Sequence, residues 1–146
     1  MIVGKILSVN ISGKKSVKKH NVTSCKALLD YGLEHDAHAG TELRQISLLA
    51  SESIEKIRQK GLNVHFGDFA ENLTTSGIEL YTLPLGTKLQ AGKDVLLEVT
   101  KIGKECPKPC AIFYAVGDCV MPREGIFARV LAAGIINVGD EISISR

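Results

Sequence analysis

Ile126-Phe127-Ala128-Arg129-Val130-Leu131-Ala132-Ala133-Gly134-Ile135-Ile136-Asn137-Val138-Gly139-Asp140-Glu141-Ile142-Ser143-Ile144-Ser145 is a run of branched and aromatic residues cut twice by glycine. Such residues suit strands, so strands are predicted at Ile126–Leu131 and Glu141–Ser145, with Gly134 and Gly139 at tight turns or the corners of a curled sheet. The same texture extends outward through the chain. Met1–Asn10, Val22–Leu29, Leu43–Leu49, Glu79–Leu89 and Asp94–Ile102 read as further strands, with Gly86 and Gly92 as more turns. One helix is clear: Ser51 as N-cap, Glu52 and Glu55 in its first turn, Ile54 and Ile57 inward, Arg58 and Lys60 near its end and Gly61 as the stop. A second, short helix is expected from Pro109 towards Val116, ending at Gly117. Many short strands with two short helices predict a mainly β fold, a closed or strongly bent β-barrel, because closure removes unpaired strand edges.

A chain of 146 residues fits one domain, 1–146, and leaves no room for a second catalytic unit. Hydrophobic residues at 45% and charged residues at 23% are ordinary for a globular protein, and a net charge of +2 makes no general case for nucleic acid. The chain opens as a strand, without the basic and apolar regions of a signal peptide, and no apolar run approaches the roughly 18 residues that span a membrane. A cytoplasmic chain without membrane partners is expected. The 4 cysteines, Cys25, Cys106, Cys110 and Cys119, should then be reduced, which favours chemistry or metal over a disulfide framework.

Cys110 carries the sharpest chemical signal. In Lys104-Glu105-Cys106-Pro107-Lys108-Pro109-Cys110-Ala111-Ile112-Phe113, Pro109 fits the first position of a helix and places Cys110 in its first turn. The helix dipole, free backbone N–H groups and two lysines there favour the thiolate, the nucleophilic and metal-binding form. A zinc ligand or a buried structural cysteine is the plain alternative. Polar residues gather in three other stretches. Gly32-Leu33-Glu34-His35-Asp36-Ala37-His38-Ala39-Gly40, followed by Arg44, offers His35, Asp36 and His38 either as metal ligands or as a turn that satisfies its own backbone. Glu71 and Asn72, in Phe66-Gly67-Asp68-Phe69-Ala70-Glu71-Asn72, could orient a ligand or pair with backbone amides. Arg123 and Arg129, beyond Gly117-Asp118-Cys119, could hold an anion by planar forked hydrogen bonds, or Arg123 could pair with a nearby acid on a solvated surface.

Taken together, the stretches GLEHDAHAG, RQISLL, GDFAENLTTSGIEL, LPLGTKLQAG, KECPKPCAIF and GIFARVLAAGIINVGDEI resemble, in order and spacing, the MOSC family, named for the C-terminal domain of molybdenum cofactor sulfurases, and its small stand-alone bacterial members. The resemblance covers essentially the whole chain. It implies a barrel like the inserted barrel of pyruvate kinase. It also implies a role in carrying sulfane sulfur to, or holding, a molybdenum–pterin cofactor. The family's characteristic cysteine falls on Cys110, which would carry a persulfide or ligate molybdenum through the cofactor, with Cys106 and Cys119 as secondary thiols. His35 stands where the commoner form has glycine and Ala37 where it has arginine.

A sulfur carrier needs an accessible, low-pKa thiolate, and a molybdenum-binding thiolate needs the same. Either role wants cations for the pterin phosphate, for which Arg44, Arg123 and Arg129 are the candidates, with the Lys14-Lys15-Ser16-Val17-Lys18-Lys19-His20 loop a weaker one. His35, Asp36, His38, Glu71 and Asn72 are expected along one wall of the same cleft. Pyridoxal phosphate, which longer family members use in a fused desulfurase domain, is not expected within this chain. A separate cysteine desulfurase would donate sulfur, and a molybdoenzyme or cofactor-biosynthesis protein would accept it. The chain would thus be a sulfurtransferase, a sulfur carrier or a cofactor-dependent catalyst. The competing readings are a zinc-stabilised module on Cys106, Cys110, Cys119 and a histidine, whose spacing matches no common zinc framework, and a non-catalytic anion- or nucleic-acid-binding barrel, for which 5% aromatics leave few stacking platforms.

Overall fold

The computed structural model describes residues 2–14, 18–103 and 120–145. Cys106, Cys110, Cys119 and the helix expected from Pro109 lie outside the described residues. Among those described there are eleven strands, β1 (Val3–Ile11), β2 (His20–Val22), β3 (Ser24–Leu28), β4 (Gly32–Leu33), β5 (Ile46–Ala50), β6 (Leu73–Ser76), β7 (Lys88–Ala91), β8 (Val95–Ile102), β9 (Ile126–Ala132), β10 (Gly134–Asn137) and β11 (Glu141–Ser145). Two helices, α1 (Ser51–Arg58) and α2 (Met121–Glu124), and a 3-10 turn at Leu80–Thr82 complete the described elements.

Seven strands close a barrel in the order β11-β7-β8-β9-β5-β6-β1, with β1 returning to β11. Closure depends on β1 being long enough to serve two partners along one edge. Its first half pairs with β11, Val3 opposite Ser143, and its second half with β2, Val9 opposite Val22. Every neighbouring pair in the ring is antiparallel except β5–β6. A small second sheet, β10-β3-β4, sits beside the barrel.

Two cores result from the period-2 alternation of the strands. Ile6, Val9, Leu48, Leu73, Leu97, Ile126, Ala128 and Ile142 point into the barrel. Leu49 and Phe127, on the other faces of β5 and β9, point outward and are covered by Ile54 and Ile57 of α1, Val64, Phe69, Val120 and Met121. This outer core fixes α1 and the loop after it to one side of the barrel.

Several sequence expectations shift in detail. The strand expected at Glu79–Leu89 is a 3-10 turn and a loop before β7, because Pro84 and Gly86 make a turn in which the Thr87 N–H donates to the Pro84 carbonyl at 3.1 Å and Gly86 has φ +89. Val22–Leu29 is divided at Thr23, and Leu43–Leu49 becomes β5 only from Ile46. β6, β10 and α2 were not foreseen. Ser51 is the first residue of α1 and Ala50 its cap, since the Ser51 hydroxyl donates to Glu52 Oε1 at 3.1 Å and caps nothing. Gly61, at φ +96, does stop the helix, its N–H closing on the Arg58 carbonyl at 2.9 Å.

Gly67 is a point where glycine is required twice over. Its φ is +98, and a Cβ there would collide with the Lys19 carbonyl oxygen. Gly67→Ala is expected to destabilise the fold by about 1–3 kcal/mol from backbone strain alone. Urea denaturation checks this, and a change within experimental error would show that the 67–71 loop yields freely.

Candidate functional site

The outer faces of β5, β6 and β1 carry polar side chains where a simple barrel would be covered by apolar ones. Asn72 is fully buried at the start of β6. Its Oδ1 accepts from the Ser47 N–H at 2.9 Å and the Ser47 hydroxyl at 3.1 Å, while its Nδ2 donates to the Asn10 carbonyl at 3.1 Å. One side chain thus joins β5 to β1. Glu71, also fully buried, holds the loop before it: Oε2 accepts from the Gly67 N–H at 3.0 Å and the Thr74 hydroxyl at 2.7 Å, and Oε1 from the Phe69 N–H at 3.2 Å. Burial pushes its carboxyl above the usual carboxylate range despite these donors.

Asp36 is the centre of an adjoining knot. Its Oδ1 takes the Lys19 ammonium at 2.7 Å and the Ser12 N–H at 3.0 Å, and its Oδ2 takes the His38 N–H at 3.1 Å. Both side chains of the Lys19–Asp36 pair are 0% exposed. Burial alone would raise the Asp36 carboxyl, but the hydrogen bond and charge of Lys19, aided by Ser12 and Asn72, hold it below its ordinary value. The His38 ring is nearly buried, with Nδ1 3.8 Å from Asp36 Oδ2.

Asp36, His38, Glu71 and Asn72 are therefore brought to one region, through Ser12 and Asn10 at the end of β1. His35 is not among them. At φ +67 it turns outward, 80% exposed, with Nε2 3.2 Å from Glu34. No group of three metal-ligating side chains converges among the described residues.

The three arginines occupy different settings. Arg129 forms an ion pair with Glu98 at 2.7 Å, directly across β9–β8, on a half-exposed surface. Arg123 is exposed on α2, and its neighbour Glu124 is held by the Ser53 hydroxyl at 2.6 Å and by Lys56 at 2.9 Å. Arg44 is half-buried, its guanidinium 5.5 Å from the centre of the Phe127 ring, and it has no acidic partner among the described residues. A cleft of about 390 Å³ opens elsewhere, between Ala50, Ser53, Lys56, Ile78, Tyr81 and Glu124. Its lining among the described residues sets Glu52, Glu79 and Glu124 against Lys56, a balance that disfavours anions.

A family model described as the MOSC domain matches residues 35–143, a span that includes His35, Asp36, His38, Arg44, Glu71, Asn72, Cys110, Arg123 and Arg129. The chain belongs to the MOSC family. This MOSC chain is similar to the YuaD protein of Bacillus subtilis, at TM-score 0.78 and 21% identity over 96% of this chain and 94% of that one. It is also similar to YiiM from Geobacillus stearothermophilus, at TM-score 0.72 and 21% identity over 98% of this chain and 75% of that one. YiiM from Escherichia coli gives 0.67 and 18% over 97% and 70%. At these identities the likeness is one of fold. No curated protein matches the sequence.

Sequence reasoning missed Lys19 as an individual, Phe127 as a support for Arg44 and Lys101 as the residue opposite Phe127. Lys19 is one cation in a basic run, and only the fold distinguishes it by burying it on Asp36. No helix among the described residues is long and apolar enough to cross a membrane.

Proposed function

We propose that this MOSC chain handles a molybdenum–pterin cofactor with Cys110 as the point of contact, the thiolate carrying sulfane sulfur to the cofactor or ligating it. The observation that supports this reading most is Arg44. A half-buried guanidinium laid on a buried aromatic ring, with no acidic partner among the described residues, is a receptor in search of an anion, and the terminal phosphate of a pterin fits it. Arg123 is a second candidate for that phosphate. The bound group would supply a high-valent metal centre, already held by the dithiolene sulfurs of the pterin, that a further soft thiolate could ligate.

In the sulfur-carrying form, the Cys110 thiolate attacks the outer sulfur of a donor persulfide. A new S–S bond forms on Cys110, the donor's S–S bond breaks, and the electron pair leaves with the donor thiolate, so no external oxidant is needed. A cysteine desulfurase is the proposed donor, and a molybdoenzyme or a cofactor-biosynthesis protein the acceptor. Cys25 is a poor competitor: burial, and then the charge of Glu34, push its thiol up, and its Sγ lies 3.4 Å from the Glu34 carbonyl as a donor.

Exposure of the reduced chain to a small-molecule persulfide should leave Cys110 heavier by one sulfur, about 32 Da, in peptide mass spectrometry. Cys110→Ser should abolish this gain, and should abolish molybdenum retention if the thiolate ligates the cofactor. Sulfur appearing first on Cys25, or neither sulfur nor molybdenum on Cys110, would overturn the proposal.

A further inference from the structure

We infer that Arg44 and Lys101 form a two-cation seat for a phosphate monoester dianion on the outer face of β8 and β9. The inference rests on the reading of Arg44 as an anion receptor and adds its second cation and its ligand class. A register shift between Val99 and Lys101 places Lys101 directly opposite Phe127. Residues opposite one another in an antiparallel pair project to the same face with Cβ atoms about 4.5–5.5 Å apart. Phe127 belongs to the outer core, so Lys101 shares the outer face with it.

The Arg44 guanidinium lies 5.5 Å from the centre of the same ring, and the residues on either side of Arg44 are fixed. The Leu43 carbonyl accepts from the Thr100 hydroxyl at 2.5 Å. Gln45 Oε1 accepts from the Val130 N–H at 3.0 Å, and Gln45 Nε2 donates to Asp30 Oδ1 at 2.9 Å. Two positive residues, both half-buried, thus lie beside one apolar ring, Arg44 by contact and Lys101 by register.

Charge balance decides what they would take. The acid nearest along this face of β8, Glu98, is committed to Arg129 at 2.7 Å. Neither Arg44 nor Lys101 has an acidic partner among the described residues. Two cations without a compensating acid among the described residues repel each other, and a ligand with two negative charges removes that repulsion where one with a single charge removes only part of it. A forked guanidinium and a point-like ammonium also divide the oxygens of a terminal phosphate naturally. A monoester is therefore preferred to a diester, and Lys101, more than Arg129, is the partner of Arg44.

The test is a titration of the full chain with phenyl phosphate and with dimethyl phosphate at low ionic strength, followed by backbone amide NMR. Saturable shifts are expected around Arg44, Thr100, Lys101 and Phe127, stronger for the monoester. Lys101→Gln and Arg44→Gln should each weaken monoester binding by about tenfold or more, and Lys101→Arg should restore it. Equal binding of the diester, an unchanged affinity in Lys101→Gln, or a loss in Arg129→Gln as large as that in Lys101→Gln would overturn the seat. Persulfide loading of Cys110 from a small-molecule donor needs no phosphate. Its survival with a failed titration would therefore sink the seat alone, and its failure with a successful titration would sink the sulfur reading alone.

Discussion

Lys19→Met is expected to destabilise the protein by about 3–5 kcal/mol at pH 7, the usual consequence of leaving one member of a buried ion pair behind. Asp36 would remain, with 0% of its side chain exposed, facing the space where an ammonium now sits at 2.7 Å. The Ser12 and His38 N–H groups would still reach it, so the pocket would not collapse around a neutral group. The pH dependence identifies the cause. With Lys19 present the folded-state carboxyl of Asp36 is held below its ordinary value, so the pair stabilises the fold above the unfolded carboxylate pKa of about 3.9 and that contribution fades as pH falls through the lower, folded value. In Lys19→Met burial is opposed by less, the folded pKa rises, and the variant is penalised most where Asp36 must ionise. The gap between the two proteins should be widest near neutrality and narrow on acidification. Urea denaturation from pH 7 downward measures it. A gap below about 1 kcal/mol, or one that does not change with pH, would mean that the pair is not the anchor of this turn.

The barrel was legible because it depends on features visible along the chain. Glycine-punctuated runs such as Ile126–Leu131 and Glu141–Ser145 became β9 and β11 with boundaries within a residue. β6 escaped because Leu73-Thr74-Thr75-Ser76 is short and looks polar, and its strand character comes from lying parallel to β5, Leu73 opposite Leu48. β10 escaped because Ile135 and Ile136 sit between two glycines, where a turn reads as well as a strand, and pairing with β3 decides.

Site residues divide along the same line. Asp36 and Asn72 could be picked out as polar residues in turns, but whether each faces a ligand or the protein depends on distant partners, Ser12 lying 24 positions from Asp36 and Asn10 lying 62 from Asn72. Glu71 is held within its own turn by Gly67, Phe69 and Thr74. The pairing of Arg129 with Glu98 depends on the register of β8 against β9, which is shifted twice. Nothing local in either segment sets that register. Arg44 is the reverse case: the sequence already offers it for the pterin phosphate, and the structure adds that it has no acidic partner among the described residues, which one sequence does not show.

Asn72→Asp is expected to make folding itself pH-dependent. Two of the three side-chain hydrogen bonds to β5 and β1 survive the change on paper, because a carboxylate oxygen can accept from the Ser47 N–H and hydroxyl as Oδ1 does now, while the support that the amide gives the Asp36 carboxylate is replaced by repulsion. The third reverses. Nδ2 donates to the Asn10 carbonyl at 3.1 Å, and a carboxylate there would set two acceptors against each other in a fully buried site. An orphaned buried group costs about 1–3 kcal/mol and a charged one more, so a loss of about 2–4 kcal/mol is expected at pH 8. Protonation supplies the missing donor, since the neutral acid can point its O–H at the Asn10 carbonyl as the amide does. The new carboxyl should therefore have a folded pKa raised above its unfolded value, with stability largely intact below the unfolded value and lost as pH rises through the folded one. Asn72→Ala, which can donate nothing at any pH, should be destabilised without this dependence. If Asn72 instead contacted a ligand more than the fold, both variants would melt near the parent temperature at all pH values and lose only binding. Thermal melts of the three proteins between pH 5 and 8 separate these outcomes: the raised Glu71 carboxyl is common to all three, and the arrangement that clasps β1 to β5 through one amide requires the Asn72→Asp protein to regain more stability than the other two as acid is added.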